Sequence, residues 1–313
     1  MLTMKGGRNP APAPDFPRPN MDCAGQRSAT ALSTGLARTK AVSRSVCHRN
    51  PNTPQKIWRG CPHTFSLLPL ATTRSTSPAL LATTRRMSES LNALALAKYI
   101  DHTLLKPEAT AGDIEKLCRE AMEHHFWSVC VNGSRVAQAY AFVENSGVKV
   151  AAVVGFPLGA MSPDVKRLEV EAAIDDGAQE IDVVLNIGRL KDGDAKYVLR
   201  ELRDVVDAAE ERTVKVILET CLLTREEKIL ACKLVVESGA HFVKTSTGFS
   251  TGGATTHDIQ LMRECVGPNF GVKASGGIRD AQIALGMIQS GATRLGTSAG
   301  VAIIKGAAGA TGY

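Results

Sequence analysis

The chain has 313 residues, of which 44% are hydrophobic and 22% charged, a composition typical of a globular protein and not of a short disulfide scaffold. The net charge of +6 is unevenly distributed: residues 1–87 carry 13 Lys and Arg against two acidic residues, whereas the remainder carries 24 basic and 29 acidic residues. Since the remainder is mildly acidic and no apolar run reaches the ~18–20 residues that span a bilayer, we expect neither nucleic acid nor a membrane as a partner.

The eight cysteines are scattered along the chain and form no Cys-x-x-Cys pair. In a chain of this length, such a pattern is typical of reduced thiols in an intracellular compartment and offers no zinc-binding spacing. We therefore expect no metal and a cytoplasmic location. Cys118 and Cys232 lie in helical patterns and are predicted to be small core residues.

Residues 1–87 have the composition of a disordered, basic extension. Ten prolines alternate with Ser, Thr and Arg, so this stretch cannot bury enough apolar area to offset its conformational entropy. It could be a transit segment, which would make the location mitochondrial, a basic tail with a partner, or the product of a start codon assigned too early. In the last case Met87 is the true start and Ser88 or Ser90 caps the first helix. Binding of RNA or an acidic membrane is disfavoured because few aromatic residues are available for stacking.

Residues 88–313 are predicted to form one domain, in which short apolar runs alternate with amphipathic windows. The predicted strands are Tyr99–Leu105, Phe126–Asn132, Val148–Gly155, Glu180–Asn186, Thr213–Thr220, His241–Thr247, Gly271–Ser275 and Thr293–Thr297. The predicted helices include Ala111–His124, Pro163–Asp176, Tyr197–Glu210, Arg225–Ser238, His257–Cys265, a window starting at Arg279, and Ala299–Lys305. Eight such units in about 230 residues fit an α/β fold of the (β/α)8 TIM-barrel type. An open doubly wound sheet is the alternative, but the first strand is not followed by Gly-x-Gly-x-x-Gly.

Two lysines lie late in neighbouring apolar runs. Lys244 ends the sixth strand and Lys273 lies in the seventh. Barrel chemistry takes place at the C-terminal ends of the strands, and adjacent strands are about 4.8 Å apart, so two inward lysines would meet there. Their repulsion would leave one a free amine near neutral pH, able to form a Schiff base with a carbonyl. A structural salt bridge for each lysine is the alternative.

Acidic candidates lie on the first and fourth strands. Asp182 is flanked by apolar residues, and an inward carboxylate there could relay protons between the lysines or merely neutralise them. Asp101 offers a second acidic position on the first strand. Its neighbour His102 is predicted to be a structural histidine, and Glu219, assigned to the end of the fifth strand, is a weaker candidate.

Glycine-containing loops after the seventh and eighth strands indicate a phosphate site. Glycines allow backbone N–H groups to face an anion, the following helix adds a favourable dipole, and barrels often hold phosphate at these loops. The candidate residues are Ser275, Gly276, Gly277, Gly296, Thr297 and Ser298.

Taken together, these segments resemble the 2-deoxyribose-5-phosphate aldolase family. The resemblance covers residues from about 90 to 313 and is carried by Tyr99–Pro107, Val154–Gly159, Glu180–Gly188, Lys215–Thr220, Lys244–Gly248 and Val272–Ile278. The run Lys-Thr-Ser-Thr-Gly followed by Lys-Ala-Ser-Gly-Gly-Ile is highly specific in that order. Residues 1–87 have no counterpart in the family pattern.

The resemblance implies a class I aldolase without cofactor or metal, which reversibly cleaves 2-deoxy-D-ribose 5-phosphate to acetaldehyde and D-glyceraldehyde 3-phosphate in deoxynucleoside catabolism. By motif position, Lys244 would form the Schiff base, Lys273 would lower its pKa, and Asp182 would relay protons. Tyr313 ends a Gly/Ala tail, and such a tyrosine often swings into the site to assist proton transfer; a disordered end is the alternative. Phe249 stands where some members carry a basic residue, so a phosphate contact from that side chain cannot be carried over.

Other classes of function are the alternatives. A barrel isomerase, or a Schiff-base aldolase for another sugar phosphate, would use a similar set of residues. A barrel without catalytic activity that acts as a binding partner is disfavoured, because it has no evident reason to keep two like charges in neighbouring strands. The expected partner is a small sugar phosphate, and a homodimer is compatible with a sequence that does not define the oligomeric state.

Overall fold

Eight parallel strands pair in sequence order, and β8 pairs with β1 to close a barrel. The (β/α)8 prediction is therefore confirmed, and the alternative of an open sheet is wrong. This computed structural model describes residues 94–306. The strands are β1 (Ile100–Leu104), β2 (Ser128–Val131), β3 (Lys149–Val154), β4 (Glu180–Val184), β5 (Thr213–Ile217), β6 (Phe242–Lys244), β7 (Gly271–Ser275) and β8 (Arg294–Thr297). The expectations for residues 1–87 and for Tyr313 concern positions outside the described residues.

The helices alternate with the strands around the barrel. They are α1 (Ala111–Glu123), α2 (Val136–Val143), α3 (Pro163–Asp175), α4 (Ile187–Lys191), α5 (Ala195–Ala208), α6 (Arg225–Glu237), α7 (Thr256–Val266), α8 (Ala281–Gln289) and α9 (Gly300–Ile304). The predicted windows agree with the structure to within a few residues. Two helices lacked a prediction: α2 is almost entirely apolar and shows no polar stripe, and α4 has only five residues.

Side chains at the helix ends explain where several helices begin. Thr110 and Asp113 form a capping box at α1, and Thr224 and Glu227 form another at α6. Each box pairs backbone N–H groups that the first turn would otherwise leave without partners. These helices therefore begin at positions that the sequence marks locally.

Period-two alternation sorts the strand residues between two environments. In β4, Ile181 and Val183 pack in the main apolar core, which includes the inward faces of the helices. Glu180 and Asp182 alternate with them and are also buried, on the barrel's inner side. On this strand, charged groups therefore face the barrel interior. In the part of the chain that the structure describes, no helix is long and apolar enough to cross a membrane.

Candidate active site

The two lysines and the aspartate singled out in the sequence meet inside the barrel. Lys244 and Lys273 are register partners on β6 and β7, and Lys244 is the last residue of its strand. Both amines contact the same oxygen, Oδ2 of Asp182, with each Nζ at 2.7 Å. All three side chains are buried, so these contacts are shielded from solvent.

The two amines differ in their electrostatic environment. Burial lowers the pKa of Lys244, and the charge of Lys273 adds to this shift against the opposing attraction of Asp182. Burial also disfavours the charged form of Lys273, but the carboxylates of Asp101 and Asp182 outweigh it and raise the pKa of this lysine. Lysine–lysine repulsion, expected from the sequence as the cause of the free amine, contributes, but burial is the larger cause. Lys244 is consequently the amine that loses its proton more readily.

The aspartates are held as carboxylates. Burial alone would raise the pKa of Asp182, but the nearby charges of Lys215, Lys244 and Lys273 hold it well below its usual value. Asp101 Oδ2 lies 2.5 Å from Lys273 Nζ, and the pKa of Asp101 is likewise lowered despite its burial. Asp101 therefore belongs to the same cluster, as a partner of Lys273.

Three further charged residues complete the cluster, and the sequence reasoning did not assign them. Lys215 on β5 lies 2.8 Å from Asp182 and 2.6 Å from Glu180. Arg294 on β8 lies 2.9 Å from Asp101 and 3.2 Å from Glu180. Period-two alternation offered a signal for them, since Glu180 shares a face with Asp182, and Lys215 is a lone charge in the β-branched run Thr-Val-Lys-Val-Ile.

A pocket of about 250 Å³ lies at the C-terminal end of the barrel. It adjoins the cluster at Gly296, where an added Cβ would lie 3.0 Å from Lys273 Cε. Five of the six predicted phosphate residues line it, together with the loop after β6 and the start of the segment leading to α8. The lining consists of Gly248, Ser250, Thr251, Gly252, Gly253, Gly276, Gly277, Ile278, Arg279, Gly296, Thr297 and Ser298. The predicted loops therefore meet, and the loop at 248–253 and the basic side chain of Arg279 are additions.

Ser275 is the predicted phosphate residue that does not line the pocket. Its hydroxyl donates to the carbonyl of Ser246 at 2.7 Å, and its side chain is buried on β7. The Thr297 hydroxyl is similarly engaged, donating to the carbonyl of Ile278 at 2.7 Å. Gly276 and Gly277 have φ values of 87° and 78°, a region that L side chains rarely adopt. Six of the twelve lining residues are glycines, which fits the glycine pattern of the sequence.

Two other residues considered in the sequence have structural partners. His102 Nε2 lies 2.8 Å from Glu120 Oε2, which fits the predicted structural histidine. Glu219 lies two residues beyond the end of β5, not on the strand as predicted, in a left-handed backbone conformation with φ of 55°. Its buried carboxylate accepts hydrogen bonds from the backbone N–H and the hydroxyl of Thr247, and so connects the loops after β5 and β6.

A closed parallel barrel with ionisable side chains in its interior and a pocket formed by the loops that follow its strands has the architecture of a TIM-barrel enzyme. Residues 95–308 match the family described as DeoC/LacD family aldolase. The deoxyribose-phosphate aldolase of Alkaliphilus oremlandii is 60% identical over 211 residues, which cover 67% of this chain and 95% of that protein. The deoxyribose-phosphate aldolase of Bdellovibrio bacteriovorus is 58% identical over 220 residues, 70% of this chain and all of that protein.

A solved structure shows the same fold. The deoxyribose phosphate aldolase from Aeropyrum pernix, described as having a unique tetrameric structure, superposes with a TM-score of 0.65 at 34% identity, covering 70% of this chain and 95% of that one. The chain therefore belongs to the DeoC/LacD aldolase family. It is accordingly a lyase that acts on carbon–carbon bonds.

Proposed function

We propose that the protein catalyses the reversible cleavage of 2-deoxy-D-ribose 5-phosphate to acetaldehyde and D-glyceraldehyde 3-phosphate through a Schiff base on Lys244. The observation that carries this proposal is the buried amine of Lys244, whose pKa is lowered while the neighbouring Lys273 stays charged on a shared carboxylate. The substrate follows from relatives at 58–60% identity that bear the name deoxyribose-phosphate aldolase.

The reaction begins when the unprotonated Nζ of Lys244 attacks the aldehyde carbon of the open-chain sugar. Loss of water gives an iminium, which withdraws electrons from the neighbouring carbons. A base removes the proton of the C3 hydroxyl, the C2–C3 bond breaks, and its electron pair passes into the enamine. Glyceraldehyde 3-phosphate leaves. Protonation of the enamine carbon and hydrolysis of the resulting iminium release acetaldehyde and regenerate the amine.

We assign the proton transfers in these steps to Asp182 and Lys273. The Asp182 carboxylate contacts both amines, so it can accept a proton on one side while the adjacent ammonium supplies one on the other. General acid–base catalysis of this type increases the reaction rate by about 10²–10⁴-fold. Asp101 acts on the far side of Lys273, where its carboxylate favours the ammonium form. A role for Tyr313 at the same step stays a prediction.

The substrate phosphate fits the pocket formed by the loops after β6, β7 and β8. Glycine-rich backbone at Gly276 and Gly277 can present N–H groups to an anion, and Arg279 adds a positive charge. Ser275 contributes support for the loop through its bond to Ser246 and not a phosphate contact. A phosphate held there would fix the distal end of the sugar relative to Lys244.

Borohydride trapping tests the nucleophile and the substrate together. Incubation with deoxyribose 5-phosphate and borohydride should add mass to the peptide that contains Lys244, and Lys244→Met should show neither adduct nor turnover. Lys233→Met, at an exposed position on α6, is the matched control and should behave as wild type. An adduct on Lys273 would reverse the assignment, and turnover of ketose phosphates in preference to deoxyribose phosphate would favour another aldolase or an isomerase.

The oligomeric state is a separate expectation. We propose a homodimer that acts in the cytoplasm in deoxynucleoside catabolism, whereas the relative from Aeropyrum pernix is described as a tetramer. Light scattering of the purified chain distinguishes a dimer from a tetramer by mass.

A further inference from the structure

Six charged side chains in the barrel interior form a closed ring of alternating charge. Each of the three carboxylates contacts two cations of the ring, and each cation contacts two carboxylates, with separations of 2.5–3.2 Å. In order around the ring, the members are Asp182, Lys273, Asp101, Arg294, Glu180 and Lys215. All six are buried. We call this set the charge ring.

The charge ring is balanced without Lys244. Three cations match three carboxylates, so Lys244 is a seventh charged group that joins the ring only by sharing Asp182 with Lys215 and Lys273. A protonated Lys244 would add an unbalanced positive charge to a buried site, which is costly. The composition of the ring, and not one neighbouring lysine alone, disfavours the ammonium form of Lys244.

Arg294 is the member opposite Asp182 and the one that cannot give up its charge, since a guanidinium stays protonated throughout the working pH range. Its guanidinium lies 4.3 Å from the centre of the Trp127 ring and 5.3 Å from that of Phe242, so both aromatic rings hold it in place. Trp127 also donates from Nε1 to Glu180 at 2.8 Å. Packing in the barrel therefore fixes the positions of Arg294 and Glu180.

We propose that the charge ring acts as a self-neutral support that keeps Lys244 in its amine form, and that Arg294 is the positioning residue that maintains its balance at a distance. Register places Arg294 opposite Lys273 and Lys273 opposite Lys244, so Arg294 lies two strands away from Lys244, or about 10 Å. It makes no contact with Lys244 and acts through Asp101 and Glu180. This inference rests on the proposed use of Lys244 as the nucleophile.

Other ionisable groups near Lys244 do not alter this balance. Cys130 on β2 is buried, and burial raises the pKa of its thiol, so it remains neutral. Glu219 accepts hydrogen bonds from Thr247, and among the described residues it forms no ion pair with a lysine of the charge ring. Lys149 at the start of β3 lies 3.7 Å from Glu180, but its side chain is 41% exposed and its charge is screened by water.

Formaldehyde with cyanoborohydride tests the inference without using the natural substrate. An unprotonated lysine adds to formaldehyde and loses water, and hydride from cyanoborohydride reduces the iminium to a methylamine. The pH at which the Lys244 peptide is methylated at half its maximal rate, followed by mass spectrometry, reports the protonation of this one amine. Unit charges about 10 Å apart at an effective dielectric constant of about 20 shift such a midpoint by about one pH unit.

The expected shifts have opposite signs. Arg294→Met leaves three carboxylates against two ring cations, so Lys244 should hold its proton and the midpoint should rise by about one unit. Glu180→Gln leaves three cations against two carboxylates and should lower the midpoint by a similar amount. Arg294→Lys keeps the charge and should restore most of the wild-type value. Lys149→Met, the matched loss of an exposed cation from Glu180, should leave the midpoint nearly unchanged.

Equal shifts from Lys149→Met and Arg294→Met, or shifts of the same sign from Arg294→Met and Glu180→Gln, would overturn the inference. If Arg294→Met does not fold, the nearly isosteric Glu180→Gln decides alone, and an unmoved midpoint refutes the ring. The outcomes for the proposed function are separate. If the variants shift the Lys244 midpoint in the expected directions but the wild-type protein does not cleave deoxyribose 5-phosphate, the ring is supported and the substrate is refuted.

Discussion

The pocket proposed to hold the substrate phosphate contains one close approach between two backbones. A Cβ added to Gly253 would lie 2.6 Å from the carbonyl carbon of Gly276, and the next residue, Ala254, donates its N–H to the Gly276 carbonyl at 3.0 Å. Ordinary carbon–carbon contacts are about 3.5–4.0 Å, so Gly253→Ala must separate the two loops by about 1 Å. Because the new Cβ would clash with the backbone of Gly276, no side-chain rotation can remove the clash.

We expect this separation to affect the phosphate end of the substrate selectively. Overpacking of this kind costs about 1–3 kcal/mol of stability, and a misplacement of about 1 Å in a positioning element can cost about 100-fold in catalysis. Gly253→Ala should therefore raise KM for deoxyribose 5-phosphate by about 10–100-fold, while KM for unphosphorylated deoxyribose changes by less than about twofold.

Steady-state kinetics on both sugars, together with urea unfolding, separate these effects. Gly133→Ala is the control, because a Cβ at Gly133 meets nothing within 4 Å. Equal increases in KM for the two sugars would show that the loop only supports packing. An unchanged KM for the phosphorylated sugar would place the phosphate elsewhere.

Three further predictions concern buried polar groups. Glu219→Ala should lower the free energy of unfolding by about 1–3 kcal/mol in urea titrations, because it leaves the buried N–H and hydroxyl of Thr247 without their acceptor, whereas Glu219→Gln should lower it less. Lys166→Met should lower the free energy of unfolding by about 3–5 kcal/mol, because Lys166 Nζ lies 2.6 Å from Glu201 Oε1 and both side chains are fully buried. Adding Glu201→Leu should recover much of this loss. The pKa of the Asp101 carboxylate is lowered in the folded state, so this group stabilises the fold above its unfolded pKa of about 3.9, and the stabilisation is lost as the pH falls. Asp101→Asn should therefore flatten the decline in the free energy of unfolding below about pH 5.

Each of these has an outcome that contradicts it. Equal losses from the alanine and glutamine variants at 219 would show that the hydrogen bonds to Thr247 are not the cause. A double variant at 166 and 201 no more stable than Lys166→Met would mean that the stranded Glu201 charge is not the main cost. An unaltered pH slope in Asp101→Asn would assign the acid loss of stability to other carboxylates.

The order of elements and the candidate lysines could be predicted from the sequence because they depend on local patterns. Apolar runs with charged residues at their ends specify a strand and the position of an ionisable side chain along it, and capping residues such as Thr110 and Thr224 mark where helices begin. Lys244 ends the apolar part of its predicted strand, and in the structure it is the last residue of β6. The strand ends were predicted less well, since the predicted strands continue through residues 185–186, 218–220 and 245–247, beyond the ends of β4, β5 and β6.

What the sequence by itself determined about this protein is therefore the eight-unit barrel, the glycine loops, and the lysines and aspartate that carry the family resemblance. Only the tertiary structure decided how these charges are matched. Closure of the barrel brings Arg294 on the last strand to Asp101 on the first, and register places Lys215 beside Asp182. The energy of a buried charge depends on the partners within a few ångströms, and those partners lie up to 193 residues apart along the chain.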